Sequence, residues 1–246
     1  MIIASAQTIP KNDDINRNLH DHYRLIKLAA DNGVKLIAFP EMSLTGYVRE
    51  SAAKLSFKEN DSRLDRLREL AIDKDMIIIA GAPIAMDSGL HIGSFIIFPD
   101  GFISIYTKQF LHEGEELFFA PNFHYNPIIK LGKERISLAI CADIDNPLHP
   151  MNANKANCTI YIASIFFTPN GMLEAYNLLS DYAKKYSMNV LMSNFRGESW
   201  GLKAGGKSAF WSTNGDVITA LDDQSTGLLI GQKNNDIWQG MIVKDN

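Results

Sequence analysis

The 246-residue chain sets 24 basic against 28 acidic side chains, a formal net charge of −4, with 46% hydrophobic and 21% charged residues. That apolar content excludes a disordered chain, and no apolar run approaches the roughly 18–20 residues that cross a bilayer. A mildly acidic chain with scattered Lys and Arg also excludes nucleic acid as the main partner, because phosphate binding needs clustered cations. Residues 1–7 read as a first strand, since they lack the basic stretch and longer apolar core of a secretory leader. Pro10-Lys11-Asn12-Asp13-Asp14 is a polar turn able to start a helix. Ile15, Leu19, Tyr23, Ile26 and Ala30 then recur at three- and four-residue steps as one apolar face. Gly33 suits the left-handed position that ends such a helix.

Residues 34–39 form a second buried strand, stopped by Pro40. A helix over 62–73 turns Leu64, Leu67 and Ala71 inward, and a strand over 76–82 follows. Pro99-Asp100-Gly101 joins the runs 94–98 and 102–106 into a hairpin. Further strands are expected at 135–140, 158–163 and 189–193. The helix over 172–186 can place Leu173, Tyr176, Leu179, Tyr182 and Tyr186 on one face. Short strands at 209–212, 217–220 and 227–230 follow, with Asn214-Gly215 as a second hairpin turn. Residues 232–246 show no regular period, although Ile237, Trp238, Met241, Ile242 and Val243 are apolar. Helices and strands are mixed throughout without a linker, so the expectation is one α/β domain over 1–246, with 232–246 a C-terminal extension.

Three residues follow expected strands and carry chemistry. Cys141 ends the strand 135–140, Glu41 follows the strand 34–39, and Lys108 follows the strand 102–107. Each has an ordinary reading alone: a small buried hydrophobe, a surface carboxylate, an exposed strand-end charge. Together they place a thiol, a base and a cation along one sheet edge, which is the composition of a nucleophilic site.

These residues lie in Phe39-Pro40-Glu41-Met42-Ser43-Leu44-Thr45-Gly46-Tyr47, Tyr106-Thr107-Lys108-Gln109-Phe110-Leu111 and Leu138-Ala139-Ile140-Cys141-Ala142-Asp143. In order and spacing the three motifs resemble the nitrilase superfamily of carbon–nitrogen hydrolases. The resemblance implies a four-layer α–β–β–α sandwich, usually assembled as homodimers or larger homo-oligomers. It also implies Glu41 as general base, Lys108 as stabiliser of the tetrahedral intermediate, Cys141 as nucleophile, and Glu115, or its neighbour Glu116, as an assisting glutamate. Ala142, where members often carry Tyr, and Thr107, where they often carry Arg, depart from the family pattern. Tyr47, Ala142, Phe166 and Asn194 are candidate substrate-binding residues. Arg49 or Arg196 would suit a carboxylate, and Asp143 or Asp145 a cation, if they faced the pocket.

The implied reaction is hydrolysis of a nonpeptide carbon–nitrogen bond in a small amide or N-carbamoyl compound, through a thioester and without a cofactor. Alternatives are a nitrile hydrolase with the same triad, an acyl transferase, and a catalytically silent dimeric binding protein. The six histidines lack ligand spacing, so no metal is expected. Two cysteines give no disulfide framework, so a reducing, cytoplasmic setting is expected, with Cys158 in the core.

Overall fold

The computed structural model describes residues 1–124 and 126–245. The first half runs β1 (Ile2–Gln7), α1 (Ile15–Asp31), β2 (Leu36–Ala38), α2 (Ala52–Leu55), α3 (Asp65–Lys74), β3 (Ile77–Met86), β4 (Gly89–Ile97), β5 (Ile103–Thr107) and β6 (Ile129–Leu131). The second half runs β7 (Glu134–Ile140), α4 (Leu148–Lys155), β8 (Ile160–Ser164), α5 (Met172–Tyr186), β9 (Asn189–Ser193), β10 (Glu198–Ser199) and β11 (Leu202–Lys203). It closes with β12 (Ala209–Trp211), β13 (Val217–Ala220), β14 (Gly227–Asn234) and β15 (Ile237–Lys244).

Two mixed sheets result, ordered β15-β14-β1-β2-β3-β4-β5 and β13-β12-β9-β8-β7-β6. Each has a parallel centre, β1-β2-β3 in one and β7-β8-β9 in the other, flanked by antiparallel strands. Strands buried on both faces need apolar side chains at successive positions, which accounts for Ile77-Ile78-Ile79. Their alternation divides them between layers. Ile77 and Ile79 join Ile3, Leu36, Leu138 and Ile160 in the core between the sheets. Ile78 joins Ala4 and Ile37 beneath Leu25 of α1 and Leu67 of α3. With α5 against β9 and β12 on the far side, the layers stack α–β–β–α.

Polar contacts lock the two sheets together. Ser193 Oγ at the end of β9 donates to the Ala6 carbonyl on β1 at 2.6 Å. The Gln7 side chain accepts from the Ser208 amide at 2.9 Å and donates to the Asp222 and Ser225 carbonyls. Among the described residues no helix is long and apolar enough to cross a membrane.

Three local expectations need correction. In α5 the inward positions are Met172, Ala175, Leu179, Tyr182 and Ala183, while Leu173 is 74% exposed. Two alanines let that face approach the sheet closely, a role that apolar bulk does not announce. In α1 the polar Asn18 and His22 are buried beside Leu19 and Ile26, where they bond to the turn after β2. Residues 237–244 form β15, paired antiparallel with β14 from Asn234↔Ile237 to Gly227↔Lys244. Asn235 and Asp236 both have positive φ in the intervening turn, which suits a tight hairpin. This strand is solvated along most of its length, so it shows no buried–exposed alternation.

Candidate active site

The carboxyl ends of β2, β5, β7 and β8 converge at one point, where α/β sheets place their ligand sites. Glu41 sits on the turn after β2. Leu44 N donates to Gly81 O on β3 at 2.9 Å, and Gly81 N returns a bond to Ser43 Oγ at 3.1 Å. Gly81 is needed for this approach, since a Cβ there would lie 2.5 Å from Met42 N and 2.7 Å from Pro40 O. The buried polar face of α1 grips the same turn. His22 Nε2 lies 2.9 Å from Ser43 Oγ, its ring stacks on Phe39 at 3.9 Å, and Asn18 Nδ2 donates to Leu44 O. Burial drives His22 down to about 4, so its ring is neutral at neutral pH.

Lys108 leaves the end of β5 fully buried. Its ammonium donates to Glu41 Oε1 at 2.8 Å and to Glu115 Oε1 at 2.9 Å. Glu115 follows Gly114, whose φ of 83° makes the turn, and it also accepts from Tyr47 OH at 2.7 Å and from His112 N at 2.9 Å. Glu116 points to solvent, so Glu115 is the glutamate brought into the site.

Cys141 opens a 3-10 helical turn, Cys141–Asp145, with φ of 44°. A left-handed conformation at a non-glycine residue is costly and persists only where its surroundings impose it. Here Asp143 supplies the constraint. Its Oδ2 accepts from Ile140 N at 2.8 Å and from the Tyr106 hydroxyl, and its Oδ1 accepts from Gln109 N and Phe110 N at 2.9 Å each. His149 bridges the hydroxyls of Tyr106 and Tyr161 behind it. One carboxylate thus ties the cysteine bend to the segment after Lys108.

One cation faces two buried carboxylates, and their ionisation divides accordingly. Burial pushes Glu41 up from the usual carboxylate range; Lys108 draws part of this back, and Glu115 adds to it. Burial pushes Glu115 up as well, but Lys108 and the Tyr47 hydroxyl outweigh it and hold it low. Burial lowers Lys108, yet the neighbouring carboxylates keep it protonated above its ordinary range. The Cys141 thiol is raised by burial and by Glu41, so it rests protonated. A protonated thiol beside a carboxylate of near-neutral affinity is suited to proton transfer from sulfur to Glu41.

The pocket is about 170 Å³ and is lined by Glu41, Tyr47, Cys141 and Phe166, all expected there. Arg49 also lines it and Arg196 does not. Two expected substrate-binding residues fall outside the lining. Asn194 lies behind the wall, where its side chain accepts from Phe167 N at 3.1 Å and donates to Gly206 O at 2.9 Å. Being fully buried and hydrogen-bonded to backbone, it holds the Phe166-Phe167 loop. Ala142 is buried within the 3-10 turn, and Asp143 and Asp145 lie outside the lining too. His112, Phe167, Thr168, Trp200 and Leu202 complete the pocket. They stand on loops, or for Leu202 on the two-residue strand β11, and only the chain's folding brings them near Cys141. Among the described residues no group of three or more His, Cys, Asp or Glu side chains is arranged to hold a metal ion.

Residues 2–239 match the carbon-nitrogen hydrolase family. The chain is 25% identical over 227 residues to a nitrilase of Pyrococcus abyssi, covering 90% of this chain and 85% of that protein. It is 26% identical over 227 residues to a glutamine-dependent NAD(+) synthetase of Thermotoga maritima, covering 88% of this chain but 39% of the synthetase. Among solved structures, the NitN amidase of Nesterenkonia sp. AN1 superposes with a TM-score of 0.87 at 23% identity, covering 96% of this chain and 94% of that one. A mutant of that amidase in complex with butyramide superposes with a TM-score of 0.85 at 23% identity, covering 94% and 89%. The family match extends over nearly the whole chain, and the chain belongs to the carbon-nitrogen hydrolase family.

Proposed function

We propose that this protein hydrolyses a small amide or N-carbamoyl compound, with Cys141 as nucleophile and release of ammonia or an amine. The observation that carries the reading is the Lys108 ammonium held between Glu41 and Glu115 beside a pocket-lining thiol. Glu41 takes the thiol proton as sulfur attacks the carbonyl carbon. Lys108 and the Ala142 N–H, which lies in the first turn of its helix and has no partner within it, stabilise the oxyanion. The intermediate collapses as the carbon–nitrogen bond breaks, and Glu41 returns the proton to the leaving amine. Water, deprotonated by Glu41, then attacks the thioester, releases the acid and restores the thiol. Glu115 stays ionised and keeps Lys108 in place. The narrow pocket favours a short acyl group, and the butyramide complex of the Nesterenkonia amidase supports an amide of that size. A nitrile is the second reading, supported by the Pyrococcus nitrilase relative.

The test is ammonia release from short aliphatic amides, N-carbamoyl amino acids and nitriles, with Cys141→Ala as control. The expected result is turnover of a short amide that Cys141→Ala abolishes, and a substrate-derived acyl adduct on Cys141 by mass spectrometry. Turnover that survives Cys141→Ala, or no turnover across the panel, overturns the reading.

A further inference from the structure

Among the described residues, a side chain outside the Glu-Lys-Glu-Cys set lies against the sulfur. His112 Nε2 lies 3.1 Å from Cys141 Sγ, and the ring lines the same pocket. Its placement is built into the turn that delivers Glu115. His112 N donates to Glu115 Oε2 at 2.9 Å, and Glu115 N returns a bond to His112 O at 3.0 Å. Phe167 meets the ring edge-on, with centroids 6.4 Å apart.

The direction of the bond follows by elimination. Burial lowers His112 to about 4, with Lys108 adding to the effect, so the ring is neutral at neutral pH and carries one N–H. Nδ1 stands 3.9 Å from Asp145 Oδ2, beyond hydrogen-bond range, so that carboxylate does not claim the proton. The thiol proton has an acceptor of its own. Cys141 Sγ donates to the Phe166 carbonyl at 3.7 Å, and Glu41, whose buried Oε2 makes no hydrogen bond, lines the same pocket ready to take that proton on reaction. With its proton directed to that carbonyl, sulfur is left to accept from His112.

We propose that His112 is a further catalytic residue, whose Nε2–H donates to the Cys141 sulfur and stabilises the thiolate formed when Glu41 takes the thiol proton. This rests on the nucleophilic role proposed for Cys141. As the carbon–sulfur bond forms, the negative charge passes to the carbonyl oxygen and the donor bond weakens, while His112 keeps its proton. When water expels the sulfur from the thioester, the bond re-forms and stabilises the leaving thiolate. The charged groups acting on this sulfur are Glu41, Lys108 and Glu115, and His112 is the neutral donor among them.

The experiment measures iodoacetamide alkylation of Cys141 against pH, with kcat and KM on a short amide, in wild type, His112→Leu and His112→Gln. His112→Leu is expected to raise the alkylation midpoint by about one pH unit and to lower kcat about tenfold with KM within twofold. His112→Gln retains a donor of similar reach and is expected to recover most of both. Nitrogen NMR of the wild-type ring, which does not depend on either variant folding, is expected to show the Nε2–H tautomer. An Nδ1–H tautomer, an unshifted profile in His112→Leu, or a Gln variant as impaired as the Leu variant overturns the proposal. Alkylation is independent of substrate, so a protein that turns over no amide but shows the shifted profile defeats the amidase reading and leaves this inference standing.

Discussion

The Lys108 ammonium lies 2.8 Å from Glu41 Oε1, with both side chains fully withdrawn from solvent. The pair links the end of β5 to the turn after β2 and sets the charge balance of the whole pocket. A buried cation between two carboxylates is also a structural commitment, because removing it leaves both acids uncompensated.

Lys108→Met is therefore expected to cost both activity and stability. Loss of the oxyanion partner should lower kcat by about 10²–10³-fold, following the usual effect of deleting one such donor. Stability should fall by about 3–5 kcal/mol at neutral pH, as when one partner of a buried ion pair is removed. The deficit should shrink on acidification. With the cation gone, burial raises both carboxylates in the folded state above their unfolded values, so the folded chain takes up protons first as pH falls. Urea denaturation at pH 5 and pH 8 checks this; a deficit that grows toward pH 5 contradicts it.

The pH profile of wild-type kcat/KM should have its acidic limb above the ordinary carboxylate value of 4.5, because burial raises Glu41. The proposed base must be ionised to accept the thiol proton, so activity rises with pH through this limb. Glu41→Gln should remove nearly all turnover while alkylation of Cys141 remains measurable. A limb centred near 4 would place the controlling carboxylate elsewhere.

Gly81→Ala should damage the site from a distance. The added methyl would meet backbone at Met42 and Pro40, which cannot swing aside as a side-chain tip can. The turn carrying Glu41 must then move off β3, and a displacement well under 1 Å disturbs the contact with Lys108. The expected outcome is a fall of at least tenfold in kcat with the chain still folded, as measured by circular dichroism and steady-state kinetics.

The protein is expected to associate as a dimer or larger assembly, as the resemblance implied. Ile237, Met241 and Ile242 are 66%, 45% and 39% exposed on β15, the outer strand of its sheet. Apolar side chains grouped on an open strand edge commonly mark an association surface. Light scattering should give more than one chain per particle, and Ile237→Glu with Met241→Glu should shift it toward 27.4 kDa. A wild-type monomer over a wide concentration range would remove the expectation.

How far the sequence reveals this molecule differs from residue to residue. Ile77-Ile78-Ile79 and the Asp100-Gly101 turn announce their strands because burial on both faces and turn chemistry are local properties. Glu41, Lys108 and Cys141 are legible because each follows a strand within a recognisable motif. His112 is not, because its meaning lies in a sulfur 29 positions away along the chain. Asn18 and His22 mislead for a related reason: they sit where a helix face expects hydrocarbon, and their partners belong to the turn after β2. Asn194 reads as a substrate contact, yet its amide serves the loop behind the pocket wall.

The site draws Glu41 and Lys108 from one sheet and Cys141 from the other, while the last two strands return to the sheet of the first. The second sheet is therefore encoded by one continuous stretch, from β6 to β13, and the first by the two stretches that flank it. A nascent polypeptide that has emerged only through Cys141 holds all three residues but lacks β8, β9 and the strand β14 that covers β1. Synthesis thus delivers the nucleophile before it delivers the scaffold that bends and shields it. The pocket is complete only once Trp200 and Leu202, its last lining residues in chain order, have followed.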